Sequence, residues 1–111
     1  MKKIVWLSRH DPQKSQIEEL KKFFGAVEIV QVSAVINNVS EIIKIMEENG
    51  AEEIVVVLPP NLISELLRLG VKPLRAVMER ILHDDGSVEF KHSHFERIIK
   101  IEIITKRLGE E

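Results

Sequence analysis

The run Ile54-Val55-Val56-Val57 limits the folds open to this chain more than any other feature. Four β-branched residues in succession disfavour a helix and suit a central strand, which Pro59-Pro60 ends sharply. A strand apolar on both faces belongs to a parallel sheet, because the connections between parallel strands lay helices over both sides. The sequence on either side supplies those connections. Lys3 to Ser8 and Val27 to Val32 are further strand-like runs. Ile17, Leu20, Phe23 and Phe24 recur at helical spacing after Pro12, which suits a first helical position, and Gly25 closes that pattern. Asn37, Asn38 and Ser40 mark a turn and a helix cap, after which Ile42, Ile43, Ile45 and Met46 line one side of a second helix that Gly50 stops.

A third helix follows, with Leu62, Ile63, Leu66 and Leu67 inward and Gly70 at its end. Three strand–helix units in a row predict an α/β protein, a Rossmann-like three-layer fold with a mainly parallel sheet and right-handed crossovers. The last third changes character. Leu74 to Leu82 fits strand or helix by pattern alone, but His83-Asp84-Asp85-Gly86-Ser87 is a strong turn signal and Val88-Glu89-Phe90 alternates beyond it, so a hairpin is expected. Ile99-Lys100-Ile101-Glu102-Ile103 alternates cleanly and predicts an antiparallel strand from Phe95 to Thr105, within a β extension over about residues 74–106. The charged tail from Lys106 to Glu111 is expected to fray.

With 111 residues, 44% of them hydrophobic, the chain fits a single domain with one core of ordinary size. Its charged residues are mixed in sign and the net charge is −2, so no overall basic field draws duplex nucleic acid or a membrane, and any anion site must be local. The absence of cysteine removes disulfides and thiolate chemistry. No apolar run approaches the roughly 18 residues of a membrane span. The stretch behind Met-Lys-Lys is too short for a signal peptide, so a cytoplasmic location is expected. Abundant Glu, Lys, Arg and Ile lean toward a thermophilic source.

In open α/β sheets, ligands bind outside the carboxyl ends of the strands. The first strand delivers Ser8, Arg9, His10 and Asp11 there, and the third delivers Pro59, Pro60 and Asn61. If these two strands are neighbours, the free N–H groups of the first and third helices are expected to face one crevice and favour phosphate or carboxylate. Arg9 would pair with such a group in bidentate fashion, and His10 would serve as acid, base or hydrogen-bond donor. A blander set of roles stands beside this one: Asp11 caps the first helix, Arg9 pairs with a surface carboxylate, and His10 points to solvent. Asn61, after Pro-Pro, suits a helix cap better than a ligand contact.

His92 and His94 share a face if their strand is regular, and with His83 they would make an open zinc site. No carboxylate or cysteine completes a recognised metal spacing, so no metal is expected. Asp84-Asp85-Gly86 lacks the ligand spacing of a calcium loop and reads as a turn. No nucleophile elbow, Walker loop or dinucleotide fingerprint occurs, and no cofactor is expected.

A strand ending in Ser8-Arg9-His10, followed by a helix and later by a strand running into Leu58-Pro59, resembles the small CRISPR-associated Rossmann-like proteins. These are related to the CARF domains that sense cyclic oligoadenylate. The resemblance covers residues 1 to 82 through short motifs. It implies a homodimer binding a cyclic oligonucleotide across a two-fold axis, with Ser8, Arg9 and His10 lining the ligand and Pro59 to Asn61 facing it. Some members cleave that ligand as ring nucleases. By resemblance, a ribose 2′-hydroxyl would be the nucleophile, positioned by Ser8 and His10, with Arg9 stabilising the phosphate charge and no metal required. The chain departs from that pattern in its C-terminal hairpin and in offering no second basic residue near Pro59, which puts cleavage in more doubt than binding. The alternative is a non-enzymatic, homo-oligomeric interaction module whose strand Ile99 to Thr105 pairs edge to edge.

Overall fold

The structure, a computed structural model, describes residues 1–102 and 108–109. It is a mixed α/β arrangement of β1 (Lys2–Leu7), α1 (Lys14–Phe24), β2 (Val27–Val32), α2 (Val39–Asn49), β3 (Glu53–Val56), α3 (Pro60–Arg68), β4 (Leu74–Leu82) and β5 (Val88–Arg97). The five strands form one sheet in the order β2-β1-β3-β4-β5. All neighbours are parallel except β4 and β5, which form the antiparallel hairpin. The strand order reverses at β1, whose chain neighbour β2 lies on one side and β3 on the other. Connections leaving such a pair diverge over opposite faces and open a crevice between them.

Alternation along β1 divides the core in two. Val5 and Leu7 face Ile42 of α2 and Ile63 and Leu66 of α3, whereas Ile4 and Trp6 face Leu20 of α1. Ile4, Val5, Ile42 and Leu66 are completely buried. Each such side chain contributes about 1.5–3 kcal/mol of transfer free energy, enough to fix the register of β1 against a one-residue slip that would exchange its faces.

The helix ends follow local chemistry, with two departures from expectation. Asn38 caps α2 by accepting the Glu41 amide at 3.2 Å, and Gly50 ends it in the left-handed region at φ 60°. The first helix starts at Lys14, not Pro12, because Gln13 takes the cap position and its amide donates to Gln16 Oε1 at 2.7 Å. Asp11 therefore does not cap α1. Asn61 does not cap α3 either, since Pro59 holds the cap position and Asn61 lies inside the first turn.

The hairpin forms where expected, and Gly86, at φ 86°, makes its turn with Asp85 accepting from both the amide and the hydroxyl of Ser87. Those two bonds, the hydroxyl's first, hold the Asp85 carboxyl below its ordinary range. Only Leu74 of β4 pairs with β3, at Val55, so the far end of the hairpin leaves the sheet as an arm. Its root is tied down by Arg97, whose guanidinium donates to both Glu53 oxygens at 2.7 and 2.6 Å and to the Lys72 carbonyl at 2.9 Å.

The strand expected from Phe95 to Thr105 stops at Arg97. The Ile98 amide donates to the Pro73 carbonyl, and Ile98 and Ile101 then pack on the α2–α3 side of the core while Ile99 stays exposed. Burial at a spacing of three, rather than two, replaces strand pairing. Residues 103–107 lie outside the described residues, as do the last two of the tail.

Candidate functional site

The β1–α1 loop is a built structure rather than a loose connection. Trp6 Nε1 donates to the His10 carbonyl at 2.9 Å, the His10 amide donates to Ser8 Oγ at 3.2 Å, and Gln31 of β2 donates to the Ser8 carbonyl at 3.3 Å. Because Trp6 is buried in the α1-side core, its indole anchors an exposed loop to a rigid element. The Ser8 hydroxyl thus helps shape the loop and keeps its own proton free to donate.

β1 and β3 are adjacent, paired from Ile4↔Glu53 to Leu7↔Val56, so their outgoing turns meet as expected. Ser8, Arg9, His10 and Pro59 line one cavity of about 390 Å³ at the carboxyl ends of the strands. Ala34 and Ile36 of the β2–α2 loop form its third wall, with Leu7, Val57 and Leu58 completing it. The volume falls within the range of small-molecule sites. Arg9 and His10 are exposed, and neither side chain has a hydrogen-bond or ion-pair partner among the described residues. Arg75 and Arg97, by contrast, are each committed to a glutamate. A guanidinium at a cavity wall with no internal carboxylate is available to an anion from outside.

Not every residue singled out by sequence arrives at this cavity. Asp11 lines a neighbouring one of about 420 Å³ on the α1 side of the sheet, together with Trp6, Gln13, Gln16, Met78 and Phe90. Ser8 and His10 border both. Pro60 and Asn61 turn away, lining a recess along α3 with Ser64, Glu65 and Arg68. The first turns of α1 and α3, at Gln13 and at Pro60 and Asn61, thus line different spaces, and of the two helix starts only Pro59, the α3 cap residue, borders the Arg9 cavity. The rule that parallel strands end on the same rim also implicates the β2–α2 loop, a signal legible in the sequence. No local signal announces Gln16, Met78 or Phe90, which reach the site through tertiary folding.

A larger cavity, about 750 Å³, lies between α3, the hairpin root and Ile98 to Ile101. Its charged groups neutralise each other, since Arg75 donates twice to Glu96 Oε1, at 2.9 and 2.7 Å. Glu96 is held below the usual carboxylate range first by its bond to His94 and then by Arg75. Arg97 in the same lining is held by Glu53, and Lys100 pairs with Glu102 at 3.5 Å, so each cation of this cavity has a carboxylate partner, in contrast to Arg9.

The three hairpin histidines do not converge. β5 carries one extra residue at Ser93, so that Met78 pairs with His92 while Val77 pairs with His94. Val77 and Met78 are consecutive and point to opposite faces, and the two imidazoles do the same. His83 bonds Glu89 at 2.9 Å and His94 bonds Glu96 at 3.1 Å. His92 is buried, its side chain 4% exposed, with its ring tilted against Phe95 at 4.9 Å. No group of three or more metal-ligating side chains occurs among the described residues. Nor is any helix there long and apolar enough to cross a membrane.

Comparison with known protein families, with curated proteins and with solved structures finds no match to this chain.

Proposed function

We propose that this protein is a Rossmann-like nucleotide-binding protein that holds a phosphate-bearing ligand, with linear or cyclic oligoadenylate the first candidate, in the crevice between the β1–α1 and β3–α3 turns. The observation that carries the proposal is Arg9, a guanidinium without an internal partner among the described residues, at the wall of a cavity at the point where strand order reverses. Ser8 adds a hydroxyl donor and His10 an imidazole beside it. The oligoadenylate assignment, and with it the CRISPR association, draws on the Ser8-Arg9-His10 and Leu58-Pro59 motifs alone.

Binding is the better supported half. One basic residue is modest provision for a ligand with several phosphates, and a homodimer doubles it by bringing two copies of Arg9 to one ligand. Where cleavage accompanies binding, His10 takes the proton of a ribose 2′-hydroxyl and the 2′-oxygen bonds to the adjacent phosphorus to give a 2′,3′-cyclic phosphate. The P–O5′ bond breaks and the 5′-oxygen leaves as a hydroxyl with a proton from the His10 imidazolium or from water, while Arg9 stabilises charge on the phosphate.

The test is calorimetry and thermal shift against a panel of linear and cyclic oligoadenylates, with light scattering to give the oligomeric state. Stabilisation by one of them, lost in Arg9→Ala, is expected; binding that survives Arg9→Ala rejects the site. A monomer at every concentration rejects the two-fold arrangement.

A further inference from the structure

Beside the Arg9 cavity lies the second space, about 420 Å³, between the β1–α1 loop and the inner face of the hairpin. Its floor is apolar, built from Trp6 and Val55, both buried. Its hairpin wall is Met78 and Phe90, and Phe90 is 60% exposed, a phenyl ring held at a cavity mouth with little protein against it. The arm explains this position. β4 and β5 present Met78, His92, Leu82, Val88 and Phe90 on the face turned toward α1, but α1 contacts reach Met78 and His92 while Leu82, Val88 and Phe90 beyond them stay exposed.

Gln16 gives the space its chemistry. This α1 residue is 4% exposed, and while its carbonyl oxygen accepts the Gln13 amide, its Nε2 finds only the thioether of Met78, at 3.5 Å, among the described residues. Sulfur is a weak acceptor, so a buried amide N–H₂ lining a cavity remains in want of a better one. An aliphatic occupant would leave that donor no better satisfied, whereas a flat ring carrying acceptor atoms answers both the amide and the exposed phenyl.

We infer that this second cavity receives a nucleobase-type heterocycle, stacked on Phe90 with a ring nitrogen or oxygen accepting from Gln16. Its placement rests in part on the anion site proposed above, because Ser8 and His10 border both cavities, so one nucleotide unit spans them, phosphate at Arg9 and base at Phe90. The heterocycle site also stands apart from that proposal, since its own residues do not include Arg9.

Trp6, the sole tryptophan, is a built-in reporter on the cavity floor. Saturating adenosine is expected to change its emission, and ribose 5-phosphate to leave it unchanged. Phe90→Ala, a change at an exposed position, is expected to weaken adenosine 5′-monophosphate binding by about tenfold, as base–aromatic stacking losses do, with Phe90→Trp restoring it. Calorimetry with ribose 5-phosphate should give the same affinity in wild type and Phe90→Ala. Unmoved Trp6 emission at saturating adenosine, or unchanged adenosine monophosphate affinity in Phe90→Ala, overturns the inference. Adenosine binding that depends on Phe90, together with no ribose 5-phosphate binding at all, supports the heterocycle site and rejects only the anion site at Arg9.

Discussion

The indole of Trp6 donates a 2.9 Å hydrogen bond to the carbonyl of His10, tying the buried end of β1 to the exposed loop that follows it. One side chain thus belongs to the hydrophobic core and to the candidate site at once. Trp6→Phe keeps an aromatic ring but removes the donor, and a loss of about 1–3 kcal/mol is expected from the broken bond and the smaller ring. Urea denaturation followed by circular dichroism measures the loss. Hydrogen exchange should show faster exchange of the His10 amide.

Arg9→Ala is expected to leave folding stability within about 0.5 kcal/mol of wild type, because the exposed guanidinium has no partner among the described residues. Thermal denaturation checks it. A fall of several degrees in Tm would mean that Arg9 has a structural task, and would undercut its assignment to a ligand.

Arg97 and Glu53 bind the hairpin root to the amino end of β3, with Glu53 only 12% exposed. The bond to Glu53 is the main reason the guanidinium pKa lies above its ordinary value. Arg97→Ala strands a largely buried carboxylate, for which about 1–3 kcal/mol is expected. Double variants with Glu53→Gln should recover part of the loss, and a double-mutant cycle in urea reads the coupling.

His92→Phe is expected to be neutral or stabilising at pH 7. Both ring nitrogens are buried without a hydrogen-bond partner among the described residues, and the nearest carboxylate oxygen, of Glu19, is 3.5 Å from Nε2 and already accepts the Phe95 amide at 2.8 Å. Replacing an unsatisfied polar ring by an apolar one of similar shape removes a desolvation cost. A destabilisation above about 1 kcal/mol by chemical denaturation would mean that the His92–Glu19 contact is worth more than its geometry indicates.

Glu96 offers a pH test. Its folded pKa is depressed, so its contribution is present above the unfolded pKa and is lost as pH falls through the lower folded value. Carbon-13 NMR titration should find its carboxyl titrating below the ordinary glutamate range. His94→Ala should return it upward further than Arg75→Ala does, in keeping with the order of the two causes.

The sequence alone determined the alternation of strands and helices, the bounds of β2, and the hairpin turn at Gly86, because these depend on side-chain period, β-branching and turn residues within a few positions of one another. It also carried the shared rim of Ser8, Arg9, His10 and Pro59, since parallel strands joined by helices end on one side of the sheet, but their meeting in one cavity required β1 and β3 to be neighbours, which the sheet order decided. Tertiary structure decided what depends on partners distant in the chain. The extra residue at Ser93 sends His92 and His94 to opposite faces, and no spacing rule can see a bulge that only the opposing strand defines. Ile98 and Ile101, in a stretch whose sequence alternates like a strand, instead pack on the α2–α3 side of the core, a choice that depends on apolar surface supplied by distant elements. Phe90 and Gln16, 74 positions apart by their numbers, line one cavity because strand pairing sets Phe90 on the α1-facing side of the hairpin. Short-range stereochemistry wrote the elements; long-range packing chose which of their side chains face each other.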